Sequence, residues 1–165
     1  MHSPFNLARI SLSSFLAYFI MAAIITPLGV VSAPIAEYFS VTITAATAAF
    51  SSLTSGILVG AIVAIFVFDY ARIRTVVIAG ASLIGIGIVT TYLFHNFLIF
   101  NASLSLIGLG CGVSMSTASV VITKAFSEKM RPSMLLLTDS FYSGAATVST
   151  LLAVSLLAMN WHWWS

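Results

Sequence analysis

Residues 75–123 read TVVIAGASLIGIGIVTTYLFHNFLIFNASLSLIGLGCGVSMSTASVVIT and contain no Asp, Glu, Lys or Arg. A helix needs roughly 20 apolar residues to cross the hydrocarbon of a bilayer, so this run has room for two crossings. His95 and Asn96, with Asn101 soon after, break the apolar pattern near its middle and mark the turn. Outside this run the charges are again widely separated, from Arg9 to Glu37, from Glu37 to Asp69, and from Asp139 to the end at Ser165. Each of these gaps has room for one helix. The spacing predicts spans at about 10–34, 45–68, 75–94, 97–123 and 133–159, making an all-α, polytopic membrane bundle in which residues 1–165 form one domain. A transmembrane β-barrel would show short alternating segments instead of long continuous apolar runs.

Composition points the same way. Hydrophobic residues make up 60% of the 165 and charged residues 6%, and the mean hydropathy is +1.12, whereas about a quarter of an ordinary globular chain is charged. A soluble coat cannot be built from so few charges. This sets aside soluble enzymes and secreted disulfide scaffolds, and the net charge of +2 is too small to mark a nucleic-acid partner. Cys111 is the only cysteine, so no intrachain disulfide can form.

With five spans, all six basic residues fall on one side. Arg9 precedes the first span, Arg72 and Arg74 lie between the second and third, and Lys124, Lys129 and Arg131 lie between the fourth and fifth. Positive loops are retained in the cytoplasm, so the N-terminus is expected there. Trp161, Trp163 and Trp164 would then reach the external headgroup layer, which suits tryptophan. A signal peptide is excluded by length, because the apolar run from Ile10 far exceeds the roughly 7 to 15 residues of a signal core. Cleavage after Ala33 would also leave Pro34 as the first residue.

Helices in lipid associate through close packing and hydrogen bonds, and small residues one turn apart are the visible sign. Gly56 with Gly60, Gly108 with Gly112, and Ser140 with Gly144 are the expected seams. Pro27 removes a backbone hydrogen bond inside the first span and is expected to bend it.

No enzyme constellation emerges. His2, His95 and His162 are not spaced as metal ligands, and Cys111 has no neighbour to complete a site; neither a metal nor a cofactor is expected. The Gly-rich run 108–112 lies in an apolar segment without the Lys-Ser/Thr ending of a phosphate loop and reads as a packing face. The residue that stands out is Asp139, about two turns into the fifth span. Intramembrane acids are rare, and they face a bundle interior or a wet cavity where they serve ions, protons or substrate. Tyr142 and Ser143 share its helix face. The alternative for Asp139 is a hydrogen-bonded carboxyl that fixes packing. Asp69, Arg72 and Arg74 form a second cluster between spans two and three, which composition alone would read as a solvated positive loop.

Four stretches, Ile35-Ala36-Glu37-Tyr38-Phe39, Ser55-Gly56-Ile57-Leu58, Gly112-Val113-Ser114-Met115-Ser116 and Leu137-Thr138-Asp139-Ser140-Phe141, carry a resemblance that runs from Ile10 to Trp164. The chain resembles the amino-terminal half of a major facilitator superfamily permease of TsgA type, in the fucose-permease-like branch. The resemblance implies secondary transport of a small solute by alternating access in a bacterial inner membrane, with a proton or cation as coupling ion. It also implies that a carboxy-terminal half is missing and that the chain is a fragment ending before a sixth span. The superfamily's loop between helices two and three reads Gly-x-x-x-Asp-Arg-x-Gly-Arg-Arg, and its charges lock one conformation on the cytoplasmic side. Asp69 and Arg74 match it, while Ile65, Arg72 and Ile73 depart from it. Sugar–proton symporters of the branch carry acids in helices one and four; the spans 10–34 and 97–123 have none. Asp139 takes the place of an amide on a cavity-facing helix five. The alternative from another class is a non-transporting membrane interaction or assembly subunit.

Overall fold

The structure, a computed structural model, describes residues 4–159. Those residues form six helices: α1 (Pro4–Ile25), α2 (Leu28–Tyr38), α3 (Ile43–Tyr70), α4 (Ile73–Leu93), α5 (Phe97–Ala125) and α6 (Arg131–Ala158). All except α2 are long and apolar enough to cross a membrane. The all-helical membrane bundle read from the charge gaps is the fold observed.

The expected first span is two consecutive helices, α1 and α2. The chain breaks at Thr26 and Pro27, where the proline nitrogen has no hydrogen to give, and α2 starts afresh with Val30 and Val31 both donating to the Pro27 carbonyl at 2.9 and 3.1 Å. The second helix continues through Pro34 to Tyr38, past the expected end of the span. It closes on Ser40 in the left-handed region (φ 52°), with the Val41 N–H reaching back to the Ala36 carbonyl at 2.9 Å. This is the usual way of satisfying the last carbonyls of a helix. Side-chain oxygens start two of the other helices. Thr42 accepts from the Ala45 N–H at 3.2 Å at the head of α3, and Asn96 accepts from Leu98 and Ile99 at 2.8 and 3.4 Å at the head of α5. Capping of this kind replaces bonds that the first turn cannot make internally.

The centre of the bundle is α5. Half of its apolar window is buried against neighbours, compared with 6% for α6. Glycine explains why two helices can press so closely on it. A Cβ placed on Gly56 or Gly60 would run into the carbonyls of Ser105 or Leu109, and one on Gly108 or Gly112 into those of Leu53 or Ile57. Each glycine thus sits on the carbonyl three residues before a glycine of the partner helix. The two glycine pairs expected to be separate seams are the two faces of one. On the other side, α4 meets α5 through Gly80, Gly87 and Gly110. The third expected seam is not one: a Cβ on Gly144 would meet nothing within 4 Å, because small-residue spacing does not determine what stands opposite.

The core proper joins α1, α2, α3 and α5 around Met21, Ile35, Ala49, Leu53, Leu104 and Cys111. At one end of the bundle, aromatic contacts tie α2 to the α4–α5 turn: Tyr38 lies 5.6 Å from His95 and Phe39 5.1 Å from Phe100. Arg9 and Arg74 line a common groove at the opposite end. The long outer helix α6 leans chiefly on α1.

Candidate functional site

Two kinds of contact hold α6 to α1. Phe141 stacks on Phe15 with ring centres 4.6 Å apart, and Tyr142 meets Tyr18 edge-on at 6.5 Å. Further along, the Thr26 and Ser149 hydroxyls are 2.9 Å apart, and Thr26 also donates to the Ala22 carbonyl at 2.8 Å. The Tyr18 and Ser119 hydroxyls, 2.9 Å apart, link α1 to α5. Thr26 is the residue at which α1 ends, so the break in the first span is fastened to α6 by a polar contact. Sequence reasoning identified Pro27 but not Thr26, Ser149, Tyr18 or Ser119. Hydroxyl residues abound in these spans, and only the packing selects the few that meet across helices.

The contacts with α1 fix the rotation of α6 and divide its free surface. Thr138 and Ala145 are buried. On one flank, at i, i+4, i+8 and i+11, lie Asp139, Ser143, Thr147 and Thr150, the first three exposed and the last half-buried, together with Leu136 and Val154, exposed by 67 and 47%. The other flank carries Leu137, Val148 and Leu151, exposed by 43, 50 and 62%. Helical spacing puts these four polar residues on one side, and the α1 contacts determine that this side is uncovered in the chain. Two of the hydroxyl groups there are turned onto their own helix, with Ser143 donating to the Asp139 carbonyl at 3.0 Å and Thr147 to the Ser143 carbonyl at 3.1 Å.

Of the expected pathway residues, Asp139 and Ser143 lie on this flank and Tyr142 at its border with α1. Among the described residues neither neighbour on its helix face bonds the Asp139 carboxylate: Ser143 serves the backbone, and Tyr142 packs on Tyr18. The expected gate residues lie apart. Asp69 is exposed one residue before the end of α3, Arg72 occupies the position preceding α4 without a side-chain capping bond, and Arg74 faces the groove between α1, α4 and α5. Among the described residues no ion pair within 4.0 Å joins Asp69 to either arginine. No group of three His, Cys, Asp or Glu is placed to hold a metal among the described residues. His2, His162 and the tryptophans at 161, 163 and 164 lie outside them.

Over 160 residues, 96% of its length, the chain is 32% identical to the protein TsgA homolog of Edwardsiella ictaluri (strain 93-146). It is 31% identical to that of Buchnera aphidicola subsp. Baizongia pistaciae (strain Bp) and 30% to that of Citrobacter koseri, each over the same share of its length. It spans 41% of the length of each of these relatives. No family model matches the chain, and no solved structure does. The similarity to these TsgA homologs covers nearly the whole chain and about two fifths of theirs.

Proposed function

We propose that this chain is the first five spans of a major facilitator superfamily permease, a secondary transporter that moves a small solute by alternating access. The reading places it in a bacterial inner membrane with the N-terminus in the cytoplasm, where the one-sided distribution of Lys and Arg would be retained. The observation that carries it is the polar flank of α6. An ionised carboxylate costs up to about 2.5–3.5 kcal/mol on insertion scales, the full value applying at the bilayer centre, so a flank headed by Asp139, about two turns into its span, is poorly suited to face acyl chains. It suits a water-filled cavity. In this reading Asp139, Tyr142 and Ser143 line the solute pathway, and Asp139 exchanges a coupling proton or cation during the cycle. Asp69, Arg72 and Arg74 belong to the cytoplasmic gate. The 41% coverage of the relatives supports a missing carboxy-terminal half, against which these spans would rock around a midplane site.

The experiment compares Asp139→Asn with wild type in the intact protein that carries this sequence. Energised membrane vesicles would be screened with labelled solutes and then assayed for accumulation. The amide keeps the shape and removes the charge, so insertion and expression should persist while gradient-driven accumulation is lost; Asp139→Glu should retain part of it. Accumulation by Asp139→Asn at the wild-type level would make the residue structural and remove the reading's main support.

A further inference from the structure

One polar link between helices differs from the rest. Most hydroxyl groups in the spans are turned onto a carbonyl of their own helix, as Thr117 is onto Val113 at 2.6 Å and Thr138 onto Met134 at 2.8 Å. Tyr18 and Ser119 are not. Their hydroxyls, 2.9 Å apart, have no other hydrogen bond among the described residues, whereas Thr26 and Ser149 each also donate to a backbone carbonyl. Tyr18 is 6% exposed, and a buried tyrosine hydroxyl has to find a partner. Ser119 therefore sets where the Tyr18 ring can lie.

That ring is one of two on which α6 rests. Phe141 and Tyr142 are consecutive and so stand about 100° apart around the helix. Phe141 stacks on Phe15 with 8° between the planes, and Tyr142 meets Tyr18 at 82°. A single contact would leave α6 free to turn about it; two, on either side of the buried Thr138 and Ala145, do not. Phe141 stands on the apolar side with Val148, and Tyr142 on the side of Asp139. The fixed member of the bundle is α5, whose glycines press backbone on backbone against α3, while α6 leans chiefly on α1. The sequence of contacts from Ser119 through Tyr18 to Tyr142 thus carries the position of α5 to the polar side of α6. We propose that Tyr18, held by Ser119, is a positioning residue that seats Tyr142 and thereby aims Asp139 and Ser143 at the solute pathway, on the reading of that flank given above. Neither Tyr18 nor Ser119 touches the solute in this role.

The test places a fluorinated tyrosine at position 142 of the intact protein that carries this sequence, in lipid nanodiscs, and follows its fluorine resonance. In parallel, a single cysteine at Ser143 in a Cys111→Ala background reports, through its rate with a water-soluble thiol reagent, how far the flank faces water. Ser119→Ala and Tyr18→Phe should each displace the resonance and slow modification at 143 by about threefold, the factor that an average hydrogen bond between membrane helices is worth. The double variant should do no more than either, because one bond is removed in all three. Ser119→Thr keeps a hydroxyl and should preserve both signals. Thr26→Val cuts the other polar link of α1 to α6 and controls for general loosening; it should leave the resonance in place. An unmoved resonance in both Ser119→Ala and Tyr18→Phe, an equal movement in Thr26→Val, or a moved resonance with an unchanged rate at 143 would overturn the proposal. Were position 143 inert in the unaltered protein as well, the flank would line no pathway, and the resonance at 142 would still decide whether Ser119 and Tyr18 seat α6.

Discussion

Replacing Gly108 with Ala tests whether the α3–α5 seam holds the bundle together. The added Cβ would lie against the Leu53 carbonyl oxygen, with the Leu53 carbonyl carbon at 3.0 Å and the Ile57 nitrogen at 3.1 Å. Those are backbone atoms of a helix and cannot turn aside. The Leu53 oxygen is the nearest of the three, and relieving that contact would part α3 and α5 by roughly 1 Å or more, a gap that forfeits about half of each contact it opens. The same movement loosens Gly56, Gly60 and Gly112, which use the same seam. Overpacking of this kind costs about 1–3 kcal/mol, offset by about 0.8–1 kcal/mol from the better helix propensity of alanine. A net loss of up to about 2 kcal/mol is expected. Gly144→Ala is the matched control, because nothing stands within 4 Å of its Cβ position; it should be neutral or gain up to about 1 kcal/mol. Unfolding by SDS titration in mixed micelles, followed by helicity, would measure both. The reasoning is refuted if the two variants agree within about 0.5 kcal/mol, the scale of an ordinary surface substitution.

The contact between Thr26 and Ser149 should show a coupling of about 0.6 kcal/mol, the average for hydrogen bonds between membrane helices, in a double-mutant cycle of Thr26→Val and Ser149→Ala by the same titration; zero coupling would mean that the hydroxyls do not bond. Asn96→Ala removes the acceptor at the head of α5 and should lower stability by about 1 kcal/mol, whereas Asn96→Asp, which keeps an acceptor, should lose much less.

The span count was legible because charge is costly in lipid: Arg9, Glu37, Asp69, Arg74, Lys124 and Asp139 bracket the apolar runs, and only helices fit between them. Pro27 was legible as a lost hydrogen bond, and its lost donor is where α1 gives way to α2. What stayed hidden depended on rotation and partner. Gly56, Gly108 and Gly144 look alike in the sequence, yet two press on backbone and the third on nothing, because spacing along one helix says nothing about its neighbour. Asp139 stood out by its chemistry alone. That it shares a flank with Thr147 and Thr150, and that its carboxylate is not bonded by Tyr142 or Ser143, follows from how Phe141 and Tyr142 seat α6 on α1. The groove ending in Arg9 and Arg74 could not have been read at all, since it joins residues from three spans.

The central claim is that one flank of α6 faces water and the other faces lipid. Single cysteines at Ser143 and Val148, in a Cys111→Ala background of the intact protein, report on the two flanks at positions about 7.5 Å apart along α6. A membrane-impermeant, water-soluble thiol reagent applied to opened membranes should label position 143 and spare 148, since only a cysteine in contact with water forms the reactive thiolate readily. If position 148 reacts and 143 does not, or if both stay inert, the polar flank of α6 does not line an aqueous pathway.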